Sequence, residues 1–199
     1  KELTNYLKIK NIKYAITALT GIAAFNINGI TINSFTGIGI AKYSKEILLK
    51  RLKKEYILNI RCIKVLFIDE ISMMSSDLFD KLNYIFQNVR KSRLFFGGVQ
   101  VVFTGDFFQL QPVFNNTDSN TELLFENEIF IKEFTLNNII NLDYIFRQSD
   151  LKFKSILSNI RLGTFTSDDI NYLKNNSLKY ISNENSKNFI KLEIGRAHV

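Results

Sequence analysis

The sequence is poor in the residues that crosslink chains or bind zinc. Its 199 residues include one cysteine, Cys62, and one histidine, His198. A disulfide framework and a cysteine zinc site are therefore excluded, and the scarcity of cysteine favours a reducing compartment. No apolar run approaches the roughly 18 residues that a membrane-spanning helix needs, and residues 1–10 lack the apolar core of a secretory signal. We therefore do not expect a membrane-embedded protein.

The composition is that of a globular domain with an excess of positive charge. Hydrophobic residues make up 46% and charged residues 23%, which excludes disordered and collagen-like chains. Lys and Arg number 26 against 19 Asp and Glu, a balance of +7. That balance fits a nucleic-acid partner, and it also fits a solvated basic surface. The densest basic run, KYSKEILLKRLKK at residues 42–54, favours a solvated helix face over a DNA groove.

Both ends of the sequence have the character of cut ends. Residues 193–199 (EIGRAHV) do not continue the preceding composition, so we interpret them as a non-native tail and expect no function for His198. Residues 1–8 are typical of the end of an amphipathic helix, with Leu3, Tyr6 and Leu7 on one face. The natural part of the chain is then residues 1–192.

Apolar runs alternate with helical patterns along the chain. Runs at residues 13–19, 64–68 and 99–103 are short, β-branched and continuously apolar, as in parallel strands that are covered on both faces. Residues 76–91 predict an amphipathic helix capped by Ser75 or Ser76. A second predicted helix, residues 151–161, ends at Gly163; its expected buried residues are Phe153, Ile156, Leu157 and Ile160, and residues 115–121 are a predicted loop. The pattern indicates an α/β domain with a mostly parallel sheet.

Two acids follow the second predicted strand directly. In KVLFIDEI, Asp69 and Glu70 come at the end of an apolar run, which is a Walker B pattern. Ligands of parallel α/β sheets gather at the carboxyl ends of the strands. Asp69 could orient Mg²⁺ through water, and Glu70 could polarise an attacking water in phosphoryl transfer. The alternative is two solvated acids in a turn.

Two further segments, one after a predicted strand and one after an apolar turn, carry residues of the same kind of chemistry. In VVFTGDFFQLQPV, Gly105 permits a sharp turn and Gln109 could contact a γ-phosphate or the water. We expect the neighbouring Phe107, Phe108 and Leu110 to lie in the core, so that only the polar residues face the site. Arg147, in LDYIFRQ, could reach a γ-phosphate as an arginine finger does.

The segment TALTGIAAFNINGITINSFTGIG, residues 17–39, is rich in Gly, Thr and Ser after a predicted strand. Such residues expose backbone amides and hydroxyls that suit phosphate contacts. Phe35 could stack on a base of single-stranded nucleic acid. The alternative is a Gly-rich loop that packs Phe35 inward.

In order and spacing, these segments resemble the Pif-type DNA helicases, a branch of the superfamily-one helicases related to RecD. Residues 17–39 resemble motif Ia. The unbroken run from LFIDEISMMSSDLFDKL to FTGDFFQLQPV resembles motif II, the family signature helix and motif III. IFRQSDLKFKSILSNIRLGTFTSDD resembles motif IV and the helix after it. The resemblance covers residues 12–171.

The resemblance implies an ATP-dependent motor. Its expected fold is a P-loop NTPase-like (RecA-like) α/β fold, a mostly parallel sheet with helices on both faces, truncated at both ends. Residues 1–192 would be a partial first motor domain. The implied cofactors are ATP and Mg²⁺, and the implied partners are single-stranded DNA and duplex junctions. A 5′-to-3′ helicase of genome maintenance is implied, serving repair, recombination, and telomere or organellar DNA upkeep. It would act as an intracellular monomer, in the nucleus or mitochondrion of a eukaryote.

The resemblance also assigns roles residue by residue. It implies that Asp69 binds Mg²⁺, that Glu70 is the water-activating carboxylate, that Gln109 senses the γ-phosphate and that Arg147 is the arginine finger. For the side that faces single-stranded DNA it implies a further set: Thr20, Gly21, Ser34 and Phe35.

Four features depart from the family pattern. Leu19 stands where Ser is usual, Asn33 where His is common, and Gln111 replaces the first proline of the motif III turn. None of the three removes a residue that the ATPase chemistry needs. The fourth is that no G-x-x-x-x-G-K-[ST] loop occurs among the nine glycines. We expect that loop upstream in the parent protein, and we expect this chain alone not to hydrolyse ATP.

Two other readings of the sequence stay open. One is an ATPase with the same sheet that is not a helicase, which salt-sensitive stimulation of ATP hydrolysis by single-stranded DNA would argue against. The other is a non-enzymatic, degenerate DNA-binding remnant of a helicase. A phosphate-binding loop in the upstream coding sequence would argue against that remnant.

Overall fold

The computed structural model describes residues 1–114 and 121–181, so the expected tail and most of the expected loop at 115–121 lie outside the described residues. The described chain divides into two units, residues 1–141 and residues from 142 onward, and each is described by itself. In the first unit the helices are α1 Glu2–Ile9, α2 Gly21–Asn26, α3 Ile32–Thr36, α4 Lys45–Arg51, α5 Lys54–Cys62, α6 Ser76–Arg90 and α7 Glu128–Glu133. Its strands are β1 Tyr14–Ala18, β2 Ile30–Thr31, β3 Val65–Asp69 and β4 Gln100–Phe103. The second unit contains α8 Leu151–Leu162 and α9 Ser167–Ile181.

The four strands form one sheet in the order β2-β1-β3-β4, and every neighbouring pair is parallel. The register places Ala18 of β1 opposite both Thr31 of β2 and Asp69 of β3, and Ile68 opposite Phe103 of β4. The carboxyl ends of all four strands therefore lie along one edge. The three apolar runs of the sequence are confirmed as strands. The two-residue strand β2 was not predicted.

The central strands are buried because the sheet is covered on both faces. Consecutive residues of β3, Val65 and Leu66, are 6% and 0% exposed, although their side chains point to opposite faces. In β1, Thr17 is fully buried, and its hydroxyl donates to the Phe67 carbonyl at 2.6 Å. A polar side chain is tolerated there because its hydrogen bond is made inside the sheet.

Helix α6 follows the amphipathic pattern of its sequence. Its N-cap is Ser75, whose hydroxyl accepts from the Leu78 amide at 3.2 Å, and the helix ends where Lys91 takes a left-handed conformation. The residues spaced three and four apart on its apolar face are buried: Phe79, Leu82, Ile85, Phe86 and Val89. Because Phe79 meets the rings of Phe96 and Phe130 in the core, this face fixes α6 to the rest of the unit.

One core expectation is wrong in part. Phe107 is half-buried and contacts Phe130 edge-on, but Phe108 and Leu110 are 62% and 73% exposed. The chain turns tightly after β4, with the Gln109 amide donating to the Asp106 carbonyl at 2.9 Å. This turn directs consecutive residues away from the sheet, which a strand-like apolar count does not anticipate.

The second unit confirms the helix expected near residue 151 and corrects its buried face. Helix α8 begins at the N-cap Asp150, which accepts from the Phe153 amide at 2.9 Å, and ends at Gly163, with φ +70°. Ile156 is 1% exposed and Phe153 is half-buried. Leu157 and Ile160 are 36% and 43% exposed, so their expected burial is wrong within this unit.

No helix within residues 1–114 and 121–181 is both long enough and apolar enough to cross a bilayer.

Candidate functional site

The carboxyl edge of the sheet brings most of the candidate residues into one region. Asp69 ends β3 and Glu70 follows it, while Thr104 follows β4 on the neighbouring strand. On the other side of β3, the Leu19 amide at the end of β1 donates to the Asp69 carbonyl at 3.2 Å. The two acids therefore lie between the segments that carry Thr20 and Gln109.

Thr104 holds both acids through three hydrogen bonds. Its amide donates to the Ile68 carbonyl at 2.9 Å, and its carbonyl accepts from the Ile71 amide at 3.1 Å. Its hydroxyl donates to Asp69 Oδ1 at 2.5 Å. Backbone bonds on both sides of residues 69 and 70 fix the turn, and the hydroxyl fixes the rotamer of Asp69. A bond of this length to a carboxylate is a strong, charge-assisted one.

Glu70 stands in a backbone conformation that glutamate rarely adopts. Its φ is +60° and its ψ is +44°, in the left-handed region. Such a conformation costs about 1–2 kcal/mol for a residue with a Cβ, and it persists only where neighbouring structure enforces it. The hydrogen bonds from Leu19 to Asp69 and from Ile71 to Thr104 provide that enforcement. The half-buried Glu70 therefore projects from a rigid turn.

Gly105 lets the loop after β4 lie directly against this turn. A Cβ at position 105 would be 2.8 Å from the Ile71 amide nitrogen, a distance that side chains do not reach. Beyond it, Asp106 organises the loop: its Oδ1 accepts from the Phe108 amide at 3.1 Å and its Oδ2 from Gln109 Nε2 at 3.3 Å. The exposed Gln109 side chain is thus held four residues after Gly105, whose backbone packs on Glu70 and Ile71.

The expected DNA-side residues occupy the other half of the edge. Thr20 is the N-cap of α2 and accepts from the Ala23 amide at 3.2 Å. Gly21 follows it and is exposed, with open space where a Cβ would be. Ser34 is exposed, and its hydroxyl accepts from that of Thr31 at 2.8 Å. Because Thr31 pairs with Ala18 at the end of β1, these three residues share the edge with Asp69.

Phe35 is the exception, because it packs inward. It is 7% exposed and belongs to the hydrophobic core. It lines an open cavity of about 390 Å³ together with Lys13, Tyr14 and Ile63, which lie at the amino-terminal ends of β1 and β3. Its ring therefore has no free face for a base at the carboxyl edge in this structure, and the inward-packing alternative is the one observed.

Asn33, which stands where the family often has His, has a buried Oδ1 with no hydrogen-bond partner in the described residues. A buried acceptor without a donor costs about 1–3 kcal/mol. The side chain lies next to Ser34, in the segment that the DNA expectation concerns.

Arg147 belongs to the second unit, where it is exposed. Its role as an arginine finger stays a prediction.

The oxygen donors at the acids fit a hydrated Mg²⁺. Mg²⁺ prefers hard oxygen ligands and keeps several waters, so one strand-end carboxylate with an adjacent hydroxyl is a sufficient protein contribution. In residues 1–114 and 121–181, no group of three or more His, Cys, Asp or Glu side chains could enclose a metal. Any cation at Asp69 would therefore be held mainly by water and by its anionic ligand.

Sequence reasoning missed Thr104 and Asp106 as organisers of the site. Both lie in the Thr-Gly-Asp that ends the predicted strand 99–103, so their location was visible in the sequence. Their partners were not, because the contact of Thr104 with Asp69 depends on the register between β3 and β4.

A parallel α/β sheet with a fixed acid pair and a polar loop at its carboxyl edge defines a class of ligand-binding and phosphoryl-transfer domains. Within that class, the chain belongs to the PIF1-like helicase family, whose model matches residues 1–171.

Individual relatives agree with this assignment. The chain is 41% identical over 152 residues to the ATP-dependent DNA helicase PIF1 of Saccharomyces cerevisiae (strain YJM789), covering 75% of this chain and 18% of that relative. It superposes on the crystal structure of Pif1 helicase from Candida albicans with a TM-score of 0.73 and 38% identity, covering 84% of this chain and 38% of that one. It also matches Pif1 helicase from Bacteroides in complex with ADP-AlF3 and ssDNA, with a TM-score of 0.68, 26% identity, and coverage of 90% and 48%.

These matches confirm the resemblance and the expected RecA-like, mostly parallel α/β fold. The chain spans about a fifth of the length of the curated relatives that it matches.

Proposed function

We propose that residues 1–192 are a partial first motor domain of an ATP- and Mg²⁺-dependent DNA helicase, and that they supply part of its nucleotide-hydrolysis site. The observation that carries the proposal is the set of three hydrogen bonds made by Thr104, which fixes the turn of Asp69 and Glu70 beside the loop of Gln109. Phosphoryl transfer depends on positioned charges rather than on covalent chemistry by the protein, so rigidity at this point is what the reaction needs.

In this proposal each residue of the edge has one task. Asp69, its rotamer fixed by the Thr104 hydroxyl, holds the hydrated Mg²⁺ that neutralises phosphate charge. Glu70 orients a water and accepts its proton. Gln109 donates or accepts a hydrogen bond at the terminal phosphate, and Arg147 supplies positive charge there. Mg²⁺ enters the proposal from the chemistry of these residues alone, and ATP is supported as well by the S. cerevisiae relative, an ATP-dependent DNA helicase.

Thr20, Gly21 and Ser34 form the proposed contact with single-stranded DNA. The open space at Gly21 lets a phosphate approach the start of α2, and the hydroxyls of Thr20 and Ser34 are suited to phosphate oxygens. The Bacteroides relative is described as a complex with ssDNA, which supports a DNA partner for the family.

For the whole protein we propose 5′-to-3′ unwinding in genome maintenance, including repair, recombination and the upkeep of telomeric or organellar DNA. The partners would be single-stranded DNA and duplex junctions, and the protein would act as a monomer. In a eukaryote it would work in the nucleus or the mitochondrion. The names of the relatives support helicase activity, and these finer assignments extend them.

A chimaera tests the proposal. The segment of S. cerevisiae PIF1 that aligns with this chain would be replaced by the chain's own residues, and ATP hydrolysis would be measured with and without single-stranded DNA. We expect DNA-stimulated hydrolysis, with a loss of at least about a hundredfold in Glu70→Gln. The chain alone should not hydrolyse ATP.

The matched control is Glu55→Gln, the same chemical change at an exposed position of α5, which should leave hydrolysis unchanged. A folded chimaera without DNA-stimulated hydrolysis would overturn the proposal. Equal losses in the two variants would overturn the assignment of Glu70.

A further inference from the structure

The amino-terminal edge of the sheet, opposite the acids, carries two arginines that cap each other's helices. Helices α5 and α6 both end at this edge, where they lead into β3 and β4. Arg61 Nε donates to the Val89 carbonyl near the end of α6 at 2.9 Å. Arg90 in turn donates to four carbonyls, through Nη1 to Ile60, Arg61 and Ile63 at 3.0, 2.9 and 3.1 Å, and through Nε to Gly97 at 2.8 Å. Four hydrogen bonds therefore fix the Arg90 guanidinium, and one orients that of the exposed Arg61.

These arginines line a cavity of about 350 Å³ together with Val89, Lys91 and Gly97. Gly97 closes one side of it, because a Cβ there would lie 2.6 Å from the Phe86 carbonyl oxygen. A cavity of this size admits a phosphate group, and its charged lining is exclusively positive.

Helix capping does not use up this positive charge. Each helix C-terminus carries about half a negative charge, so two helix ends offset roughly one of the three cations. Arg61 Nη1 and Nη2, Arg90 Nη2 and Lys91 Nζ have no partner within the described parts of the chain. The planar fork of guanidinium nitrogens is suited to oxyanions, and Arg90, already held by four hydrogen bonds, loses little side-chain entropy on binding.

Further cations extend the charge beyond the cavity. Lys64 is exposed and adjoins Lys13 on the neighbouring strand, because the Lys64 amide donates to the Lys13 carbonyl at 2.8 Å. Arg93 is exposed, and its carbonyl accepts from Gln87 Nε2 of α6 at 3.1 Å, which holds its loop against the helix. In residues 1–114 and 121–181, none of these cations is within 4 Å of a carboxylate.

We propose that this amino-terminal edge, formed by Lys13, Arg61, Lys64, Arg90, Lys91 and Arg93, binds the phosphate backbone of double-stranded nucleic acid. Three cations line one cavity and three more lie on adjoining segments, and charge that extends beyond one cavity matches a polyanion better than a single phosphate. The cavity between the arginines is lined by no aromatic side chain, so the cavity itself offers no stacking platform of the kind that single-strand binding uses. The site lies on the opposite edge from the acids and does not depend on nucleotide.

Fluorescence anisotropy of a labelled, blunt-ended DNA duplex tests the proposal, using the full 199-residue chain at low salt without nucleotide. The variant combines Lys64→Gln, Lys91→Gln and Arg93→Gln, whose side chains make no bond within the described residues. The control combines Lys50→Gln, Lys53→Gln and Lys54→Gln, which removes the same charge from the densest basic run. We expect the edge variant to lose affinity about tenfold or more, and the control to lose less than about threefold. In the edge variant, the slope of log affinity against log salt concentration should also be smaller in magnitude by about two to three.

Excess inorganic phosphate at constant ionic strength should displace duplex from the wild-type chain and have less effect on the edge variant. Equal losses in the two triple variants would overturn the proposal in favour of unspecific charge, and so would full affinity in the edge variant. A third measurement uses vesicles that contain anionic phospholipid. If the edge variant lost vesicle binding but kept its duplex binding, the duplex proposal would be overturned in favour of a lipid surface. Because nucleotide is absent throughout, these outcomes are independent of the ATP hydrolysis test.

Discussion

Glu70 combines a predicted chemical role with an observed backbone cost. Its position after β3 could be predicted from the apolar run before it, since a buried parallel strand must end where polar residues begin. Its left-handed conformation could not, because glutamate has no preference for that region. The conformation follows from hydrogen bonds that Leu19 and Thr104 supply from neighbouring strands.

This cost predicts an unusual order of stability among variants of residue 70. Glycine reaches φ +60° without a Cβ clash, so Glu70→Gly should be more stable than Glu70→Ala by about 1 kcal/mol, although glycine loses more entropy on folding. Urea denaturation of the chain measures the difference in unfolding free energy.

The opposite order is expected at Leu58, an exposed position inside α5. There Leu58→Gly should be less stable than Leu58→Ala by about 1 kcal/mol. If alanine were the better residue at both positions, the left-handed conformation of Glu70 would not be the state of the folded chain.

Phe35 and Asn33 show why the residue types of segment 17–39 did not by themselves determine which side chains are exposed for contact with single-stranded DNA. A Phe in a Gly-rich segment fits stacking on a base as well as packing under a sheet, and only the path of α3 beneath β1 decides for the core. Asn33, which stands where His is common, has a buried Oδ1 acceptor without a partner in the described residues, and the type of residue alone did not indicate this burial.

The predicted strands and α6 illustrate which elements a sequence specifies by itself. Their hydrophobic periods are long and unbroken, so local preference and burial agree. β2 has two residues, Ile30–Thr31, and is a strand only because β1 pairs with it. The turn after β4 exposes Phe108 and Leu110 because the Asp106 carboxylate bonds Phe108 and Gln109, an arrangement that hydrophobicity does not encode.

A polar network joins the start of α6 to α7. Asn127, the N-cap of α7, is 4% exposed; its Nδ2 donates to Ser76 Oγ at 2.7 Å and to Asp80 Oδ1 at 3.0 Å. The Ser76 hydroxyl also bonds the Glu122 carboxylate. The network therefore fixes the segment from Glu122 to Asn127 against the first turns of α6.

This network predicts a pH effect on stability. Burial is the main cause that raises the pKa of Asp80, with Glu122 and Asp77 adding to it and Asn127 and Lys45 opposing it. The folded chain therefore holds the Asp80 proton to higher pH than the unfolded chain, so this residue's contribution to stability falls as pH rises from the ordinary aspartate pKa of about 4 through the raised value. Asp80→Asn removes the effect and should gain stability relative to wild type across that window.

Denaturation curves at a series of pH values measure this difference. Asp143→Asn, at an exposed aspartate, is the control and should run parallel to wild type. A gain in Asp80→Asn that did not grow with pH would contradict a raised pKa as its cause.

Considered as a whole, the first unit separates its charges between the two edges of one sheet. The carboxyl edge carries Asp69, Glu70 and Asp106, and the amino-terminal edge carries the cations around Arg61 and Arg90. The overall charge of +7 does not reveal this division, since it sums over both edges. The parallel topology makes the division possible, because it places the residues that precede the strands at one edge and those that follow them at the other.

The same topology predicts that residues 1–141 fold without the rest of the chain. All four strands lie in this unit, and so does every member of the main hydrophobic cluster, from Ala15 to Leu124. A chain ending at residue 141 should unfold in one cooperative transition that urea denaturation and circular dichroism report alike. A chain ending at residue 114 would lose Leu124, which is 1% exposed, and the Phe130 ring against Phe79, and should be less stable by several kcal/mol. Gradual, non-cooperative unfolding of the longer piece would show that the sheet needs residues beyond 141, and equal stability of the two pieces would show that the segment from 121 to 134 does not complete the core.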